Sequence, residues 1–217
     1  MKKLWAVGAA LLLAVAYLLN LGSAYAPTNG DEMVYLHIAR MTSESGHLLP
    51  LQSELQNMRN TKPPLLFWQA MFAGHWGWDL FTLRLPYVLE TLLTAGLVAY
   101  LMRVRPPFNW LAATLYLGFF ATYRYGRPVL SSSIESLFLF GICALVIAKL
   151  PSWKAHSIRL AAVSGLLMIP ALLSKSFVLA LPVGLWLFVA LWISSDAKPN
   201  LQKFWQSVWR AAVAVTI

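Results

Sequence analysis

Two adjacent carboxylates, Asp31 and Glu32, follow shortly after an apolar run that ends at Leu21, with Tyr35 one helical turn beyond Asp31. A carboxylate at that position can take a proton from an acceptor hydroxyl or amine as a donor bond breaks. The structural alternative is an acidic helix start that favours the dipole. A lysine follows in Lys62-Pro63-Pro64-Leu65-Leu66-Phe67-Trp68. The prolines keep Lys62 extended and out of a helix interior, and the apolar, Trp-ended stretch holds it at headgroup depth, where a cation suits a lipid phosphate. A lysine that merely snorkels to the interface would look the same. Arg124, Arg127 and Lys175 form a second basic set, suited to phosphate as bidentate and point charges, or to pairing with Glu135 or Glu90. Arg40 and Arg84 support the same region. Together these residues offer acids for an acceptor and cations for the negative charge that develops on a leaving group. His37, His47, His75 and His156 show no ligand spacing, so no metal site is read. No cofactor is expected, with a divalent metal left open. No phosphate-binding G-x-x-x-x-G-K-[ST] loop occurs, which agrees with a donor that is not a nucleotide sugar.

Composition says what must position these residues. Of 217 residues, 59% are hydrophobic and 12% charged, with mean hydropathy +0.63, against about 25% charged in soluble domains. Apolar runs near the ~17–25 residues of a bilayer span recur along the chain. They predict spans at about Leu4–Leu21, Leu83–Leu101, Phe108–Thr122, Leu130–Ala148, Leu160–Leu173 and Phe177–Ile193, and the start of another near Val208. The fold class expected is all-α: a polytopic transmembrane helix bundle of about six to seven spans, read as one membrane domain over 1–217 that continues past Ile217. Lys2, Lys3 and Ala24-Tyr25-Ala26 resemble a signal peptide, but the apolar run exceeds the usual h-region of about 7–15 residues, so an uncleaved first span is expected. The single cysteine, Cys143, lies in an apolar run and excludes an intrachain disulfide. The net charge of +9 is read as cytoplasmic Lys and Arg, with no nucleic-acid partner.

Between the first two spans lies a long connection, 22–79. Asn29-Gly30 is a turn signal. Asp31 to Ser45 has helical apolar spacing that Gly46 closes, Pro50 is a break, and Leu65 to Trp76 reads as a second helix. Both are expected as amphipathic helices along the outer membrane surface. With Lys2 and Lys3 cytoplasmic, the alternation of spans puts ten of the 17 basic residues inside, including Arg103, Arg105, Lys149 and Lys154. The seven left outside are Arg40, Arg59, Lys62, Arg84, Arg124, Arg127 and Lys175.

The run Gly30-Asp31-Glu32-Met33-Val34-Tyr35 with Ala39-Arg40, then Lys62-Pro63-Pro64-Leu65-Leu66-Phe67-Trp68, Arg84-Leu85-Pro86 and Leu173-Ser174-Lys175-Ser176, resembles membrane glycosyltransferases of the GT-C superfamily. The branch it is most similar to holds the protein O-mannosyltransferases and the lipid A aminoarabinose transferase. Thr61 and Ser176 depart from that pattern, and Ser131-Ser132-Ser133 stands where the family often has Asp. The resemblance implies a sugar donor on a polyprenyl phosphate and a lipid or protein acceptor. It also implies a site on the periplasmic or extracellular side of a bacterial inner membrane, surrounded by membrane lipids. In that reading Asp31, with Glu32 beside it, is the catalytic acid pair, and Lys62 contacts the donor phosphate. The alternatives are a non-catalytic membrane subunit or lipid-sugar binding module, and a transporter, which would place its charges nearer the bilayer midplane.

Overall fold

The computed structural model describes residues 2–24, 30–53, 62–103, 108–149, 158–175 and 209. All regular elements among them are helices: α1 (Lys2–Leu18), α2 (Gly30–Glu44), α3 (Leu65–Gly74), α4 (Leu80–Leu101), α5 (Phe108–Gly118), α6 (Phe120–Tyr125), α7 (Ser131–Lys149) and α8 (Ile158–Ser174). The all-α class is therefore observed. One helix among the described residues, α4, is long and apolar enough to cross a membrane; its 22 residues span about 33 Å at 1.5 Å per residue. Leu4–Leu18, Leu65–Gly74, Ser131–Leu145 and Val163–Ser174 are apolar but shorter. The expected sixth span and most of the seventh lie outside the described residues, as does Arg59.

Local chemistry sets the helix ends. Asp79 caps α4: its carboxylate accepts from the Thr82 backbone N–H at 3.1 Å and the Thr82 hydroxyl at 2.7 Å, satisfying donors that the first turn leaves unpaired. Both bonds favour the ionised carboxyl, the hydroxyl most, and hold it below the usual carboxylate range. Past the end of α1, Asn20 takes a left-handed conformation, φ 52°, which asparagine tolerates at helix ends. Gly46 does the same after α2 with φ 73°, so the expected closure by this glycine is observed.

Two apolar clusters hold the helices together. One joins α2, α3, the start of α4 and the turn before α7 through Leu36, Ala39, Leu66, Phe67, Tyr87 and Val129. The other joins α1, α4 and α5 through Tyr17, Leu21, Val88, Ala95, Ala113 and Leu117. Tyr17 donates to the Leu117 carbonyl at 3.0 Å and meets the Tyr123 ring edge-on at 5.3 Å.

Three placements differ from the sequence expectation. The run expected as one span over Phe108–Thr122 breaks at Phe119, whose extended backbone (ψ 125°) separates α5 from α6. α3 does not stand apart as a surface helix: Leu66, Phe67 and Ala70 are buried, and Tyr87 of α4 donates to the Leu66 carbonyl at 2.8 Å. The basic turn expected around Arg124, Gly126 and Arg127 divides: Arg124 and Tyr125 are exposed, whereas Gly126, Arg127 and Pro128 are buried. Its anchor is Thr91, whose hydroxyl bonds the Gly126 carbonyl at 2.8 Å. The approach is close enough that a Cβ on Gly126 would stand 2.5 Å from the Thr91 hydroxyl oxygen, so only glycine fits.

Candidate functional site

The acidic pair at the head of α2 divides into two environments. Successive helical residues point about 100° apart, so one can face the core while its neighbour faces out. Glu32 is fully buried. Its carboxylate receives the Arg84 guanidinium side-on, from Nε to Oε1 and from Nη2 to Oε2, each at 2.7 Å. The Val129 backbone N–H adds a third bond at 2.9 Å. Arg84, 1% exposed, spends its remaining donor, Nη1, on the carbonyls of Leu21 at 2.7 Å and Ser23 at 2.9 Å. This bidentate, charge-assisted pair ties the starts of α2 and α4, the chain leaving α1 and the turn before α7 to one point. Both Glu32 oxygens are thus engaged in holding the fold.

Asp31, by contrast, is exposed. The Tyr35 hydroxyl donates to its Oδ2 at 3.4 Å. Partial burial, and secondarily the Asp31 charge, push the Tyr35 phenol above its ordinary value, so it keeps its proton and remains a donor to Asp31 at neutral pH. Tyr35 also packs edge-on against Phe67 of α3, with ring centroids 5.8 Å apart. Arg40, further along α2, pairs with Glu44 at 2.9 Å on the exposed face, a contact that contributes about 0.3–0.5 kcal/mol.

Lys62 is half-buried and immediately precedes the proline pair that starts α3, where the Pro64 carbonyl accepts from the N–H groups of Phe67 and Trp68. The Trp68 indole N–H donates to the Leu48 carbonyl at 2.9 Å, and the Gln52 N–H donates to the Thr42 hydroxyl, also at 2.9 Å. These bonds tie the chain after α2 to both α2 and α3.

The second basic set separates. Arg127 is 2% exposed. It donates to the carbonyls of Tyr17 and Leu19 and, at 2.6 Å, to the Tyr123 hydroxyl. A cation on the last carbonyls of α1 satisfies orphan acceptors and complements the helix dipole, so Arg127 is engaged in closing α1. Arg124 is exposed, with its guanidinium 5.7 Å from the Tyr125 ring centre. Lys175 pairs with Glu135 at 3.4 Å; the lysine side chain is 47% exposed and the glutamate 9%, and the other Glu135 oxygen is buried without a hydrogen-bond partner among the described residues.

Polar residues inside α4 and α7 carry features that motif spacing did not single out. Glu90 accepts from Gln69 of α3 at 2.8 Å, while its second oxygen is buried with no hydrogen-bond partner among the described residues. The signal was present in the sequence as hydroxyl and acidic residues three or four apart, Glu90-Thr94 and Ser132-Ser136, within otherwise apolar runs. Comparison with protein-family models, curated proteins and solved structures gives no match.

Proposed function

We propose that the chain is an integral-membrane glycosyltransferase that moves a sugar from a polyprenyl-phosphate donor to a lipid or protein acceptor at the outer face of the membrane. The observation that carries this reading is the split of the acidic pair. Glu32 anchors the start of α2 to Arg84, so Asp31 is presented outward from a fixed point with Tyr35 as its hydrogen-bond donor. That arrangement suits a base that takes the acceptor's proton while the donor bond breaks. Lys62, on the rigid Pro63-Pro64 entry to α3, supplies the cation for the departing lipid phosphate. Lys175 is a second cation, held by Glu135 and exchangeable to a phosphate because nearly half of its side chain is exposed. Arg84 and Arg127 hold the scaffold and do not contact the donor. The fold in this reading is a bundle of six to seven spans, with α4 as one of them. The outward apolar side chains of α1 and α5, among them Trp5, Leu12, Phe108 and Leu115, favour a lipid environment.

The test is transfer from a radiolabelled polyprenyl-phosphate sugar in membranes carrying the full chain. Asp31→Asn and Lys62→Ala are each expected to lower turnover by at least about a hundredfold, the scale of a lost general base or charge stabiliser, with membrane insertion unchanged. Transfer at the wild-type rate in both variants would remove the assigned roles. Binding of the labelled donor by the wild-type chain without turnover would favour a lipid-sugar binding module.

A further inference from the structure

Between α4, α5, α6 and α7 lies a cavity of about 210 Å³, smaller than the ~300–1,000 Å³ of drug-sized ligand sites and of a size for one small ring. Its walls include the hydroxyl residues Thr91, Tyr116, Thr122, Ser132, Ser133 and Ser136 and the aromatic residues Phe119 and Tyr125. Among the described residues no charged side chain lines it.

The hydrogen bonds of the wall hydroxyls determine what the cavity can bind. Thr91 bonds the carbonyls of Tyr87 and Gly126. Ser132 donates to the Tyr125 carbonyl at 3.0 Å, and Ser133 faces the Leu130 carbonyl and the Glu90 carboxyl. A hydroxyl has one proton and two lone pairs. Where the proton is used on a protein carbonyl, only lone pairs are left for the cavity. These three hydroxyls therefore turn mainly lone pairs toward the cavity. A phosphate would find no cation among the described lining residues. A ring that carries its own O–H donors, and an apolar face to set against Tyr125 and Phe119, matches the lining on both counts.

We propose that this cavity is a binding site for the hydroxylated ring of a sugar, distinct from the cations that would hold a phosphate. That the ring belongs to a transferred sugar rests on the transfer reading above; that a sugar ring binds does not.

The test uses a diazirine-bearing dodecyl glucoside and a diazirine-bearing dodecyl phosphate on the full chain in nanodiscs, with adducts mapped by mass spectrometry. The glucoside is expected to label the cavity residues Tyr116, Thr122, Ser132 and Ser136, with competition by free methyl glucoside, and the alkyl phosphate to leave those four residues unlabelled. Ser136→Leu fills the cavity, and Tyr125→Ala removes an exposed aromatic wall with little consequence for packing. Each is expected to lower glucoside labelling of the cavity residues by about tenfold, the factor for one lost hydrogen bond or stacking contact of about 1.4 kcal/mol. Equal labelling by both probes, or glucoside labelling that survives both substitutions, would overturn the proposal. Neither readout needs turnover, so loss of the Asp31 role in the transfer assay leaves this site standing, and the reverse holds.

Discussion

At the scale of single residues, two adjacent acids with the same side-chain chemistry do different work because of where the helix points them. Glu32 sits in a buried, doubly bonded pair with Arg84, and removing one partner of such a pair strands a charge in a low-dielectric site. Glu32→Gln and Arg84→Met are each expected to destabilise the fold by about 3–5 kcal/mol, whereas the double variant recovers much of that loss because no buried charge is left alone. Asp31→Asn is expected to cost less than about 1 kcal/mol, the scale of an exposed acid at a helix start. SDS titration of the helical circular dichroism reads all four. A Glu32→Gln protein that unfolds at the wild-type midpoint yet loses sugar transfer would move Glu32 from the scaffold to the chemistry.

At the scale of elements, α4 begins on a cap that is also a titrating group. The folded-state carboxyl of Asp79 lies below its unfolded value, because the Thr82 hydroxyl and N–H stabilise the ionised form. Its contribution is therefore fully present above the ordinary carboxylate range and is lost as the pH falls through the lowered folded value. Asp79→Ala is expected to destabilise by about 0.5–2 kcal/mol at neutral pH. The gap from wild type should close in acid below the folded value, as read from paired unfolding curves. An acid-independent gap would mean that the aspartate acts through packing.

Elements were also where the sequence was most and least informative. The acids before the α2 apolar spacing and Gly46 after it marked that helix within a residue at each end. Lys62-Pro63-Pro64 marked the start of α3, because proline restricts the residue before it and cannot sit in a helix interior. The break at Phe119 had no such mark, since Gly118-Phe119-Phe120 reads as continuous apolar chain. The fate of Arg127 was equally hidden. Its partners are carbonyls of α1 more than a hundred residues earlier, and backbone acceptors leave no trace in side-chain spacing. A basic residue beside a predicted turn looks the same whether it awaits a phosphate or closes a helix. The expected grouping of Arg124, Arg127 and Lys175 separated in the structure for that reason.

At the scale of the whole molecule, one measurement bears on every site assignment, because the reading requires α4 to cross the bilayer. Its ~33 Å length matches a hydrocarbon core of ~30 Å, and it carries Glu90 near its midpoint, where an ionisable residue faces protein and not lipid. The hydrogen bond from Gln69 meets that requirement. His75 lies shortly before α4 and Arg103 shortly after it, and both are exposed, so a spanning α4 puts them on opposite sides. In a Cys143→Ser background, His75→Cys is expected to react with a membrane-impermeant maleimide in intact cells. Arg103→Cys is expected to react only after permeabilisation, consistent with Lys2, Lys3 and the other inner-loop cations on the cytoplasmic side. Labelling of both positions from outside would take α4 out of the bilayer. Labelling of Arg103→Cys alone would invert the protein and put Asp31 and Lys62 on the cytoplasmic side, away from any acceptor at the outer face.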